Sequence, residues 1–403
     1  MVAALACAAV MQIASTPIAS AAWWNADWPY RVKIDADTGR KGANIGEKIG
    51  RTQVLVRLLA NNFKFDTAKP DGSDIRFVAA DDRTPLHYHI EKWDGLVDQV
   101  ALVWVDVPDL APGAVGSFTM YWGNEHAADA ADAHATYDAD QVLVWHFADE
   151  TGPPKDSTAF ANNATAPIKR DEAGIIGLGG KFDGTSPVKL PASPTLNIAA
   201  GSPYTWQVWM KPAAAGATGV LYDQRDAGAN TDLQIGLQAG APFVAVTQPS
   251  GAARAQAATA LGADGWHLLT VTASPDKVTL YVDGVPAGQA AGALPAIAGA
   301  ATLGGAEPGG TAPALANFAG EVDELQVSKA ERGAGAVLAA YRTQGPQANL
   351  LSFEAPEQTS SFGSGYFGII LRSVTTDAWV VIGILGIMLA VSWLVMFLKG
   401  IYV

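Results

Sequence analysis

Acidic side chains supply most of the chemistry open to this chain, with 39 Asp and Glu among 403 residues against 26 Lys and Arg and one cysteine. Glu321 and Asp323 stand two apart in a segment of strand character, so they share one face. Retaining glycoside hydrolysis needs two carboxyl groups about 5–5.5 Å apart. Gln326, which stands where the acid/base of a Glu-x-Asp-x-x-Glu pattern would be, cannot donate and recover a proton. The same segment also reads as a closing core strand with Leu325 and Val327 inward, so catalysis there is not expected.

Ligand binding is the stronger expectation. Calcium takes six to eight oxygens, mostly from carboxylates and carbonyls. Asp149, Glu150 and Asp156 lie in one loop, with Asn162 and Asn163 shortly after, and Asp183 opens a Gly-rich turn. These four acids are the candidate calcium ligands, although none forms an EF-hand loop. Tyr222, Asp223 and Arg225 form a second polar segment, and with Trp209 they are the candidate ligand contacts. His87 and His89 alternate on a strand with Glu91 in phase, a candidate metal pair without an evident third ligand.

Other chemistry is excluded. There is no Gly-x-Ser-x-Gly, no P-loop and no Gly-x-Gly-x-x-Gly after a parallel-type strand. A net charge of −13 disfavours nucleic acid, whose phosphates need a basic face. Cys7 lies in the N-terminal apolar segment, so thiol catalysis has no group left in the mature chain.

The two ends place the chain. Residues 1–21 are uncharged and close on Ala19-Ser20-Ala21, a small-x-small pattern that predicts a secretory signal peptide. No Lys or Arg follows Met1, so either the true start lies upstream or the signal is atypical. Residues 378–398 carry no charge and would span about 31 Å as a helix, the thickness of a bilayer's hydrocarbon core. Asp377 before and Lys399 after predict a cytoplasmic C-terminus. The expected location is a bacterial inner membrane, with the N-terminal part periplasmic.

Between these ends the pattern is all-β: short alternating runs at 51–59, 74–78, 100–107, 117–122, 142–147, 205–210 and 266–272, separated by Gly, Pro, Asp and Asn. Asp283-Gly284 after the run Lys277–Val282 marks a hairpin. The expected organisation is a small β-sandwich at 22–136 and a two-sheet jelly roll at 137–342. A linker with a short interfacial segment follows at 343–377, then a transmembrane helix at 378–398.

The first module resembles a bacterial β-sandwich domain of unknown function found in exported proteins. The resemblance rests on Trp28-Pro29-Tyr30-Arg31, the run from Asp71 to Phe77, His89-Ile90-Glu91-Lys92-Trp93, the run from Val103 to Pro108, and Tyr121-Trp122-Gly123-Asn124. The second resembles a laminin-G-like, concanavalin A-type jelly roll through Trp145-His146-Phe147, Gly180-Lys181-Phe182-Asp183-Gly184, the run from Tyr204 to Pro212, Trp266-His267, the run from Val278 to Gly284, and the run from Gly320 to Ser328. Followed by Thr376-Asp377-Ala378-Trp379-Val380-Val381 and an apolar helix, the arrangement resembles MotA/TolQ/ExbB proton-channel subunits that carry a periplasmic extension. The later membrane helices of that family are absent, which reads as a truncated product, with a natural single-pass protein as the alternative.

That resemblance implies a homo-oligomer around an ExbD/TolR-like partner that energises envelope transport. The exported modules would recognise a glycan or envelope protein and would not catalyse. Ser392 is the one hydroxyl in the span and no ionisable residue accompanies it, so this helix alone offers no proton path. The alternative is a single-pass glycan-binding or adhesion protein.

Overall fold

The computed structural model describes residues 23–171, 173–307, 315–359 and 376–401. The expected signal peptide and the interfacial segment at 366–374 lie outside the described residues. The described chain up to Pro356 forms one compact unit, and residues from Glu357 onward form a second.

The compact unit holds two sandwiches, as the alternation predicts. In the first, one sheet runs in the order Leu351–Phe353, Tyr30–Asp37, Val115–Trp122, Arg76–Ala79, Pro85–Leu86. A three-stranded sheet of Gly50–Leu59, Val100–Leu110 and Tyr88–Asp94 covers it. Val54, Val56 and Leu58 occupy alternate positions and enter the core with Ile34, Phe77, Phe118 and Met120. The second sandwich packs an eight-stranded sheet on a six-stranded one, all neighbours antiparallel. Its core holds Trp206, Tyr222, Phe182, Val322, Leu325 and Val327. Asp283 and Gly284 take φ of 52° and 82°, the left-handed pair that a two-residue hairpin turn requires.

Part of the expected linker is structural. Leu351–Phe353 pairs with Tyr30–Asp37 of the first sandwich, in register Ile34 with Phe353 and Ala36 with Leu351. Ahead of it, the helix Ala334–Gln344 sends Ala336 and Ala339 into the first sandwich's core. The chain therefore leaves the second sandwich and returns to close the first.

In the second unit, Thr376–Ile401 is a 26-residue helix. From Val381 to Val395 every large apolar side chain is exposed. Among the described residues no helix is long and apolar enough to cross a membrane.

Candidate functional site at the seam between the sandwiches

The outer face of the three-stranded sheet is not left to solvent. Leu55, Leu102 and Trp104 pack against Ile176 of the second sandwich. Beside them, polar side chains of both modules meet. Arg51 and Gln53 donate to Asp106 Oδ1 at 2.9 and 3.2 Å, and Arg332 donates to Asp138 Oδ2 at 2.6 Å. Arg57, mostly buried, donates to the carbonyls of Thr343 and Gln344 at the end of the helix Ala334–Gln344.

Two β-bulges shape the centre of this seam. On Tyr88–Asp94 the register against Val100–Leu110 skips one residue between Ile90 and Lys92, so Glu91 is the extra residue. On Ala319–Ser328, Asp323 pairs with Trp209 and Gln326 with Gln207, so two residues face one. Glu324 sits in that bulge with φ 53°, a conformation that costs a glutamate roughly 1 kcal/mol or more. The bulge breaks strict alternation: Val322 and Leu325 turn inward while Asp323 and Glu324 both face the seam.

Glu91 and Glu324 converge on one imidazole. His146 Nδ1 lies 2.7 Å from Glu324 Oε1 and 3.6 Å from Glu91 Oε2, and its Nε2 lies 2.8 Å from the Tyr137 hydroxyl. Trp104 Nε1 donates to Glu91 Oε2 at 2.7 Å, and the Trp104 ring stacks on His146 at 5.4 Å. Both carboxyl side chains are essentially sealed, at 1% and 0% exposure.

Burial disfavours charge throughout this cluster. It pushes Glu91 up to about 8, helped by the neighbouring Glu324 carboxylate. It opposes a charged His146, but the Glu324 and Glu91 carboxylates outweigh it and carry the imidazole up to about 9. His89, with its ring 5.1 Å from His146, is driven down to about 3 by burial and then by that imidazolium, so it stays neutral. Asp323 is held well above the carboxylate range by burial and by Glu324, while its oxygens accept the Ile176 and Glu324 N–H groups.

A cleft of about 510 Å³ opens beside this cluster. Glu91, Trp93, Leu96, Glu150, Gly177 and Leu178 are among its walls. Among the described residues, Glu91 Oε1 and Trp93 Nε1 are sheltered polar atoms without a hydrogen-bond partner. Leu96 and Val97, at the tip of the loop after Asp94, are 86% and 84% exposed.

The residues singled out from sequence fall in several places. Glu91 and His89 reach the seam, but the His87 side chain is exposed. The expected metal pair His87–His89 is therefore corrected, because the bulge re-aims Glu91 toward His146. Trp209 is fully buried on the seam side, stacked on Tyr341 at 5.7 Å and donating to Gln344 Oε1 at 2.8 Å, so it is not open to a ligand. Tyr222 is likewise a core residue, with its hydroxyl donating to Gln224 Oε1. Asp223 and Arg225 alternate with it and face outward on the six-stranded sheet.

Asp223 is nevertheless buried. Its Oδ2 accepts the Glu307 N–H at 2.6 Å. Burial, then the adjacent Asp232 carboxyl, push Asp223 up to about 8. Asp223 Oδ1 and Asp232 Oδ1 are both sheltered acceptors facing no donor, so the proton that Asp223 keeps is the hydrogen able to bridge them.

The four acids expected to hold calcium do not gather. Asp156 is buried and caps its own turn, accepting from the N–H groups of Val144, Thr158 and Asn162 and from the Thr158 hydroxyl. Asp149 accepts the Lys155 N–H, and Asp183 accepts the Thr185 N–H and hydroxyl. Glu150 lines the cleft.

Glu324, His146 and Tyr137 had no chemical role in the sequence reading. One signal was present: with Leu325 and Val327 inward, strict alternation would turn Asp323 inward and Val322 outward, and only a bulge reverses the two.

Residues 182–337 match the family described as the concanavalin A-like lectin/glucanases superfamily, and residues 71–162 match a domain of unknown function (DUF2341). No curated protein matches the chain. Among solved structures, domain 4 of AbnA, a GH43 extracellular arabinanase from Geobacillus stearothermophilus in complex with arabinotriose, aligns at 18% identity and TM-score 0.40. That alignment covers 50% of this chain and all of the other. The binding domain of Paraclostridial Mosquitocidal Protein 1 aligns at 13% identity and TM-score 0.41, over 50% of this chain and 52% of the other. A SAP-like pentraxin from Limulus polyphemus aligns at 14% identity and TM-score 0.30, over 41% and 86%. Both matched regions lie in all-β sandwiches.

Proposed function

We propose that this chain is an exported, non-catalytic recognition protein that presents the seam cleft to a glycan or another cell-envelope component. The cleft of about 510 Å³ carries the reading, because it combines an indole, exposed aliphatic side chains and acids in the way that sugar-binding surfaces do. The match of residues 182–337 to a lectin-containing superfamily supports the same class of ligand. Against catalysis, the Glu91 and Glu324 side chains are only 1% and 0% exposed. The outward face at Asp223 and Arg225 is the second candidate surface, since among the described residues Arg225 Nη1 is sheltered there without a hydrogen-bond partner. Calcium at Asp149, Glu150, Asp156 and Asp183 rests on residue type alone.

The helix Thr376–Ile401 serves in this proposal as an inner-membrane anchor with the sandwiches periplasmic. Between Val381 and Val395 the large apolar side chains are all exposed, and such a surface favours a nonpolar environment. A role as the first helix of an ExbB/TolQ-type subunit, with a homo-oligomer and an ExbD/TolR-like partner, rests on the resemblance at residues 376–381 alone.

The test is binding of the detergent-purified full chain to an oligosaccharide array and to isolated peptidoglycan. The expected result is a retained ligand, with Leu96→Asp plus Glu150→Arg weakening it at least tenfold. Unaltered binding in that double variant would overturn the cleft as the site. No binding to any glycan or envelope fraction would overturn recognition altogether.

A further inference from the structure

We propose that Glu91, His146 and Glu324 form a binding site for one divalent transition-metal ion of the zinc class, clamping the two sandwiches together across their seam. The three side chains each offer a ligand atom, and these atoms lie within 4.8 Å of one another. One imidazole and two carboxylates form a mixed nitrogen and oxygen set that suits zinc. Calcium and magnesium would need six or more oxygens, and three donors in a sealed pocket do not supply them.

The groups around the ligands fit as well. The Tyr137 hydroxyl, 2.8 Å from Nε2 of His146, can accept the Nε2 proton when Nδ1 is given to the metal. The Trp104 indole N–H holds Glu91 Oε2, and the Trp104 ring holds the imidazole plane. Zinc bonds of about 2.0–2.2 Å put ligand atoms about 3.3 Å apart. Nδ1 and Glu91 Oε2 are near that spacing at 3.6 Å, while Glu324 must withdraw from its 2.7 Å contact by a small side-chain movement.

An independent observation points to an absent partner. Glu91 Oε1 is buried, accepts no hydrogen bond from the described residues, and faces Gly177 at the wall of the cleft. A side chain at 177 would approach this oxygen to 3.1 Å, so glycine leaves the space beside it uncrowded. Binding displaces the proton between His146 and Glu324 and replaces it with a doubly charged ion facing two carboxylates. The ion would be held by both modules at once, because Glu91 belongs to the first and Glu324 to the second.

The test uses the full chain, stripped of metal with a chelator and titrated with Zn²⁺ alone against a chromophoric competitor. The expected result is one tight ion per chain, a higher Tm with zinc, and at least 100-fold weaker binding in Glu324→Gln. Should that variant fail to fold, Co²⁺ added to the unaltered chain gives the second readout. An intense visible band of low-coordinate cobalt supports the site, and the pale spectrum of hexaaqua cobalt overturns it. Zinc affinity unchanged in Glu324→Gln, or no zinc-dependent rise in Tm, would also overturn it.

Discussion

Glu91 and Glu324 are each a bulge residue, one in each sandwich, and their carboxyl groups meet at Nδ1 of His146, at 3.6 and 2.7 Å. Neither strand needs its bulge to pair with its neighbours. Each bulge adds one residue to the outward face, and that residue is an acid. Two local defects thereby become the complementary halves of one buried polar contact between modules.

Removing the imidazole leaves those acids facing each other without a cation. His146→Ala is expected to cost about 3–5 kcal/mol, the range for breaking a buried ion pair from one side. Denaturant unfolding of the full chain measures it. A loss below about 1 kcal/mol would show that His146 does not carry the seam.

Trp209 fills the space under the helix Ala334–Gln344, stacked on Tyr341 and bonded to Gln344. Trp209→Ala should cost about 3–5 kcal/mol, as large aromatic truncations in cores do. Trp209→Phe should recover most of that. A Trp209→Ala chain with unchanged stability but lost ligand binding would restore the role expected from sequence.

Asp223 gives a pH dependence of definite sign. Folding raises its carboxyl from 3.8 to about 8. Its stabilising effect is full below the unfolded value and is lost as pH rises through the folded one, because the unfolded chain releases the proton first. Asp223→Asn lacks this loss and should gain on the order of 4 kcal/mol relative to the unaltered chain between pH 5 and pH 8. Equal pH profiles for the two proteins would contradict the buried, protonated carboxyl.

The helix Thr376–Ile401 is expected to partition into bilayers. Leu389 is exposed near its middle. Leu389→Arg should oppose insertion by about 3 kcal/mol. Carbonate extraction of membranes reads this out: the unaltered chain stays in the pellet and the variant shifts toward the supernatant. An unaltered chain that is fully extracted would remove the anchor.

The sequence determined the elements and their inner faces. Alternation of Val54, Val56 and Leu58, and of Leu325 and Val327, marks which side of each strand is core, and Asp283-Gly284 marks a turn, because both signals depend only on near neighbours along the chain. The outer faces were decided by tertiary structure. Gln53, Trp104, Gln207 and Trp209 have the same pattern whether that side meets water or a second sheet. The bulges at Glu91 and Glu324 escape the pattern too, since a shift of one residue in register shows only when both strands are in place. Candidate residues chosen by type and spacing therefore scattered. The site that formed gathered residues 91, 137, 146 and 324, because the packing of two sheets brings together what chain separation keeps apart.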